Sequence, residues 1–172
     1  VGEQTYQLHR CKSDSQVWTI RTVSEKGDIG SKVLGLLIVY VDDFLLQSSL
    51  GKIRDGLLSH LGSIWTLDKE ETLTVTHPIT FLGIDLELRP NGDVFLHQTK
   101  FINSILEKHG FRQSNGNTCV QVNKLPDMED VPTPAVLKKL QGHSGEFNWL
   151  ATRTRPDVSY CTSLLASACT KH

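Results

Sequence analysis

What this sequence has least of is a surplus of positive charge. Its 18 Lys and Arg face 19 Asp and Glu over 172 residues, a formal net charge of −1. A free-standing nucleic-acid binder draws much of its affinity from a basic excess. Any binding of phosphates by this chain therefore has to come from local patches or from basic surface on other segments. Long apolar runs are missing as well. No uninterrupted stretch is long enough to span a bilayer and no signal peptide opens the chain, so no membrane role is expected. The four cysteines, Cys11, Cys119, Cys161 and Cys169, lack the C-x-x-C spacing of a zinc or redox site. Reduced thiols in an intracellular protein are the simplest account. Repeats and low-complexity tracts are absent too. The only methionine is Met128, and the chain starts at Val1 within ordinary polar sequence, which reads as a fragment of something longer.

What is present is a globular composition, with 38% hydrophobic and 22% charged residues. The length suits one domain or two small packed subdomains. The most informative segment is Leu36-Leu37-Ile38-Val39-Tyr40-Val41-Asp42-Asp43-Phe44-Leu45-Leu46. Two adjacent carboxylates interrupt an apolar, β-favouring run with room for a strand on each side. A buried strand excludes charge, so Asp42 and Asp43 are expected where the chain reverses, at the lip of a hydrophobic sheet. Paired acids in a rigid turn repel unless water or a cation intervenes, and oxygen-only donors suit Mg2+ or Mn2+. The plainer alternative is a solvated turn, since Asp is a common turn residue.

Periodicity predicts the rest of an α+β fold. Residues 17–23, 33–41 and 44–47 read as three antiparallel strands. Ile53, Leu57, Leu61 and Ile64 or Trp65 then recur at helical spacing, which predicts an amphipathic helix packed on the sheet. Residues 79–88 read as a strand, Asn91-Gly92 as a turn, and residues 94–97 as the returning strand. A helix is expected from Thr99 as N-cap, burying Phe101, Ile102, Ile105 and Leu106 and ending at Gly110. Residues 111–133 read as an internal loop. Thr133-Pro134 is a helix start, followed by Val136, Leu137, Leu140, Phe147 and Leu150 at helical spacing across Gly142 and Gly145. A last helix is expected from about Pro156 through Ala168.

Tyr-x-Asp-Asp at a hairpin tip resembles the palm motif of reverse transcriptases, and two further blocks extend the likeness. Phe81-Leu82-Gly83-Ile84 precedes Gly92 and then Gln98-Thr99-Lys100-Phe101-Ile102. Gly145 precedes Leu150-Ala151-Thr152-Arg153-Thr154-Arg155-Pro156-Asp157. In this order they resemble the C-terminal part of the reverse transcriptase (RNA-directed DNA polymerase) of Ty1/copia-type LTR retrotransposons. The resemblance implies an antiparallel palm sheet with the Tyr-x-Asp-Asp hairpin and a packed helix, a primer-grip-like hairpin, and a helical thumb. It divides the chain into a partial palm over 1–97 and a thumb-like segment over 98–172.

The resemblance also implies roles. Asp42 and Asp43 would be catalytic ligands for Mg2+ (or Mn2+), with Tyr40 and Val41 bordering the primer terminus. Phe81, Leu82 and Gly83 would form the primer grip. The partners would be a template–primer duplex, a dNTP and the remaining Pol segments: fingers, upstream palm and RNase H. Location would be cytoplasmic, in a virus-like particle, or nuclear. Lys100, Lys108 and Arg112, with Lys138-Lys139, are candidate phosphate contacts, although with a net charge near zero a solvated helix face is the preferred account of them. In two-ion nucleotidyl transfer one ion activates the 3′ hydroxyl and the other stabilises the leaving pyrophosphate. A third carboxylate normally comes from an earlier palm strand, and neither Asp14 nor Asp28 ends an apolar strand. The isolated chain is therefore expected to be inactive.

The sequence departs from the family pattern at several points. Leu140-Gln141 stands for the usual Tyr-Arg, Glu146 for the usual Ser, and Thr118-Cys119 for a Thr-Pro. Arg155-Pro156, with Asp157 in the first turn, also fits a plain helix start. Two other classes stay open. One is a non-catalytic remnant that binds nucleic acid weakly. The other is a phosphoacceptor receiver domain with Asp85 as acceptor, which an antiparallel hairpin through Asp42-Asp43 would exclude.

Overall fold

The computed structural model describes residues 5–111 and 133–170. The chain is α+β and divides into two units, residues 1–71 and 72–172. In the first unit β1 (Thr5–Arg10), β2 (Val17–Val23), β3 (Gly35–Tyr40) and β4 (Asp43–Ser48) form a four-stranded sheet in sequence order. Every neighbouring pair is antiparallel. β1 was not among the expected strands. Apart from Tyr6 and Leu8 its residues are polar, and it lies at the sheet edge.

Register places Leu8, Ile20, Gly35 and Ser48 in line across the sheet, and Trp18, Leu37 and Leu46 in the next row. Ile20 and Leu37 are buried on this face, and α1 (Gly51–Ile64) contributes the buried Ile53. Gly35 has a packing reason: a Cβ there would sit 2.6 Å from the Gln47 carbonyl oxygen and 3.0 Å from Ile20 Cδ1. A cavity of about 430 Å3 remains beside the helix, lined by Tyr6, Leu8, Ile20, Ile53 and Leu57 among others. The expected burial fails at the end of α1. Ile64 and Trp65 are exposed, and the Trp65 ring stacks on Phe44 with centroids 6.4 Å apart.

In the second unit β5 (Ile79–Phe81), β6 (Ile84–Leu88) and β7 (Val94–His97) form an antiparallel three-stranded sheet in sequence order. The stretch 79–88 is thus two strands, not one. Leu82 and Gly83, at φ 51° and 74°, turn the chain between them. Positive φ at both central residues is the mark of a type I′ hairpin turn, whose twist matches the flanking strands. At the next turn only Gly92 takes positive φ (89°) and Asn91 does not. Hydrogen bonds from Gly92 N to Arg89 O and from Arg89 N to Asp93 O close a three-residue loop with a glycine bulge.

α2 (Thr99–Lys108) is capped by Gln98, so Thr99 is its first residue and not the cap. Gly110, at φ 73°, closes it as expected. Phe111 N donates to Leu106 O and Gly110 N to Glu107 O, the Schellman pattern. α3 (Pro134–Ala151) starts with Thr133 Oγ1 accepting from Val136 N and runs unbroken through both glycines. Val136 and Phe147 are exposed, while Leu150 and Ala151 join Leu86 and Ile105 among the buried apolar residues. A 3-10 turn (Pro156–Val158) leads into α4 (Ser159–Thr170). Arg155 caps that turn and its guanidinium grips Asp157 at 2.9 and 2.7 Å, so this block has the structural role expected of a helix start.

The antiparallel hairpin through Asp42-Asp43 removes the receiver reading, whose sheet is parallel with a helix after each strand. Among the described residues no helix is long and apolar enough to cross a membrane.

Candidate functional site

The Tyr40-Val41-Asp42-Asp43 tip is a two-residue hairpin. Tyr40 pairs with Asp43, leaving Val41 and Asp42 as the loop. All four residues are exposed, Val41 at 81%. Val41 has φ 56°. A β-branched residue in the left-handed region is uncommon, because its Cβ crowds the following carbonyl at a cost of roughly 1–2 kcal/mol. Such strain persists only where the flanking structure over-determines it, and it clusters at functional sites. Here six cross-strand partners, from Gly35↔Ser48 to Tyr40↔Asp43, hold the two strands in register and force the turn.

Both acids offer oxygen donors, the right type for Mg2+ or Mn2+. Asp14 lies in the β1–β2 loop, at the same sheet end as the tip, because Val17 pairs with Ile38 and Val39 N donates to Gln16 O. Its Oδ1 accepts from Gln16 N. Asp28 lies in the β2–β3 connection, where its Oδ2 accepts from Ser24 Oγ. Among the described residues, no group of three side chains spaced to hold a metal includes Asp42 or Asp43. The donors present thus match the ion in chemistry and fall short of a two-ion set in number.

The Phe81-Leu82-Gly83 segment is the tight β5–β6 turn in the second unit. A Cβ on Gly83 would lie 3.5 Å from Trp149 Cζ2, so α3 backs the turn with an indole ring. Arg153 covers that ring at 4.8 Å from its centroid.

The candidate phosphate contacts differ in setting. Lys100 Nζ donates to Asp85 Oδ1 at 2.8 Å and to Thr80 Oγ1 at 3.1 Å, while its side chain stays 78% exposed. Lys108 Nζ donates to Glu146 Oε1 at 2.6 Å. Both ammoniums are already engaged by carboxylates of this chain. Arg112 lies outside the described residues.

Two polar networks in the second unit escaped the sequence reading. Asp85 is 5% exposed and also accepts from Thr80 Oγ1 at 2.7 Å. Burial pushes its carboxyl up, yet the hydrogen bonds from Lys100 and Thr80, with the charges of Lys100 and His97, hold it below the ordinary value. Gln98, 1% exposed, accepts from Thr154 Oγ1 at 2.9 Å. That contact joins the Gln98-Thr99-Lys100 block to the Thr-Arg-Pro-Asp block. Gln98 Nε2 has no partner among the described residues.

Glu146 stands at a third convergence. The Lys108 hydrogen bond, opposed by burial and reinforced by His109, lowers its carboxyl to about 2. His143, one helical turn before it, faces the same carboxylate. The signal available in the sequence was His143-x-x-Glu146, an i,i+3 pair on one helix face.

Comparison of the chain with protein-family models, with curated proteins and with solved structures finds no match in any of the three.

Proposed function

We propose that the chain is the palm-and-thumb part of a retrotransposon reverse transcriptase of the Ty1/copia type, contributing Asp42 and Asp43 to the metal site of a longer parent polymerase. The observation that carries this reading is the hairpin tip. Adjacent acids are presented to solvent by a strained two-residue turn, with Tyr40 paired to Asp43 and Val41 held at positive φ. The order of the three sequence blocks supports it, as does the Gln98–Thr154 hydrogen bond that makes the second and third blocks one local structure. The tight Leu82-Gly83 turn suits a segment that places a strand end. When bound, Mg2+ supplies activation of the primer 3′ hydroxyl and charge stabilisation of the leaving pyrophosphate. In this chain Asp42 and Asp43 provide oxygen donors on a rigid support, and the remaining donors belong to other parts of the parent. Template, primer and dNTP are the partners under this reading, and Pol segments complete the site.

Primer extension tests the proposal. On poly(rA)·oligo(dT) with Mn2+, the chain alone is expected to incorporate nothing. Joined to the fingers and first palm strand of a copia-type enzyme, it is expected to incorporate dTTP, and D42N or D43N is expected to abolish that. A folded chimaera that is silent, or one indifferent to both substitutions, would refute the reading.

A further inference from the structure

We infer that His109, His143 and Glu146 form a site for a borderline transition-metal ion, Zn2+ foremost, that clips the end of α2 to the middle of α3. Glu146 Oε2 lies 2.9 Å from His109 Nε2 and 3.6 Å from His143 Nδ1. One donor atom from each of the three falls within 4.8 Å of the others. Donors around a tetrahedral ion with bonds of about 2.0–2.1 Å stand roughly 3.3 Å apart, so small side-chain rotations bring this set to bonding distance.

The donor chemistry selects the ion. Two imidazoles and one carboxylate suit Zn2+ and its neighbours, whereas Mg2+ prefers oxygen alone. The geometry is prepared by the backbone. His143 and Glu146 are one turn apart on α3 and share a face. His109 is the C-cap of α2, fixed by the closure at Gly110. The two imidazoles already meet edge to face with centroids 4.3 Å apart. Lys108 holds Glu146 Oε1 at 2.6 Å, which aims Oε2 at the imidazoles. Outer partners of this kind orient a ligating carboxylate. All three ligands are half-buried, leaving room for water in a fourth position. A bound ion would take the place of the hydrogen bond between His109 Nε2 and Glu146 Oε2. The site owes nothing to the polymerase reading, since Glu146 stands where the resembled family usually has Ser.

The test uses the whole chain, stripped with EDTA and titrated with ZnSO4 by calorimetry near pH 7.5, where imidazoles are mostly neutral. The expected result is one ion per chain, not displaced by excess Mg2+, together with a rise in Tm on Zn2+ binding. CoCl2 is expected to give visible bands of a nitrogen–oxygen site without the near-ultraviolet band of a cobalt–thiolate bond. H143F keeps a ring against His109 and removes the donor, and E146Q keeps the shape of the carboxylate. Each is expected to weaken binding by about tenfold or more and to cancel the Tm rise. No binding at about 1 mM Zn2+ would overturn the inference. So would unchanged affinity in a folded H143F or E146Q variant, or a thiolate band, either of which would put the ion elsewhere.

Discussion

Lys100→Met probes how the second unit holds a buried charge. Asp85 sits at 5% exposure, and its Oδ1 accepts from Lys100 at 2.8 Å and Thr80 at 2.7 Å. His97 Nδ1 stands 3.8 Å from Oδ2. The variant keeps most of the aliphatic stem and deletes the ammonium. A fully desolvated pair broken on one side loses roughly 3–5 kcal/mol. Lys100 is 78% exposed, so its charge is largely hydrated in either state. The loss is then one screened, charge-assisted hydrogen bond, about 1–2 kcal/mol. The pH dependence gives the sharper signature. A carboxyl lowered in the fold stabilises fully above its unfolded value of about 4 and loses that contribution as pH falls through the lowered value. Without Lys100 its hydrogen bond and its charge no longer oppose burial, so the Asp85 carboxyl moves up and this contribution shrinks. The gap between parent and variant is therefore expected to be widest near pH 7 and to shrink toward zero below about pH 4. Urea unfolding measures it, with Trp18 and Trp65 replaced by Phe so that Trp149 reports on the second unit. Equal midpoints near pH 7, or a gap that does not change with pH, would refute the reasoning.

Two further outcomes follow from local geometry. Thr154→Val removes the donor to Gln98 Oε1 and leaves a buried amide without a described partner on either end; a loss of about 1–3 kcal/mol is expected by urea unfolding, and a neutral result would show that water replaces the threonine. Val41→Gly relieves φ 56° at the hairpin tip and is expected to stabilise the first unit by about 0.5–1 kcal/mol, read from Trp18 fluorescence in urea, whereas destabilisation would mean that the valine side chain holds the turn.

Local chemistry in the chain foretold some of the turns and helix ends. The apolar run does turn where the acids interrupt it, although the loop is Val41-Asp42 and Asp43 already pairs with Tyr40 as the first residue of β4. Gly110 ends α2 with positive φ, and Thr133-Pro134 starts α3. Each needs only a few adjacent residues: a charge excluded from a strand, a missing Cβ, a hydroxyl beside free amides. Where the reading failed, the deciding partner was distant. Thr99 has cap chemistry, yet Gln98 takes the cap while its side chain reaches Thr154. Residues 79–88 look like one strand because Leu82 carries no turn signal; Gly83 and the pairing of Phe81 with Ile84 make it a hairpin. Val136 and Phe147 follow helical spacing yet face solvent, while His143 and Glu146 meet α2.

By itself, then, the sequence determined the α+β class, the antiparallel hairpin and the exposed acids at its tip, because hydrophobic period and turn chemistry act over neighbouring residues. Only the tertiary structure decided that Lys100 neutralises Asp85, that Gln98 meets Thr154, and that two histidines converge on Glu146. Those pairings join residues far apart in the chain, and burial sets which polar groups must find one another.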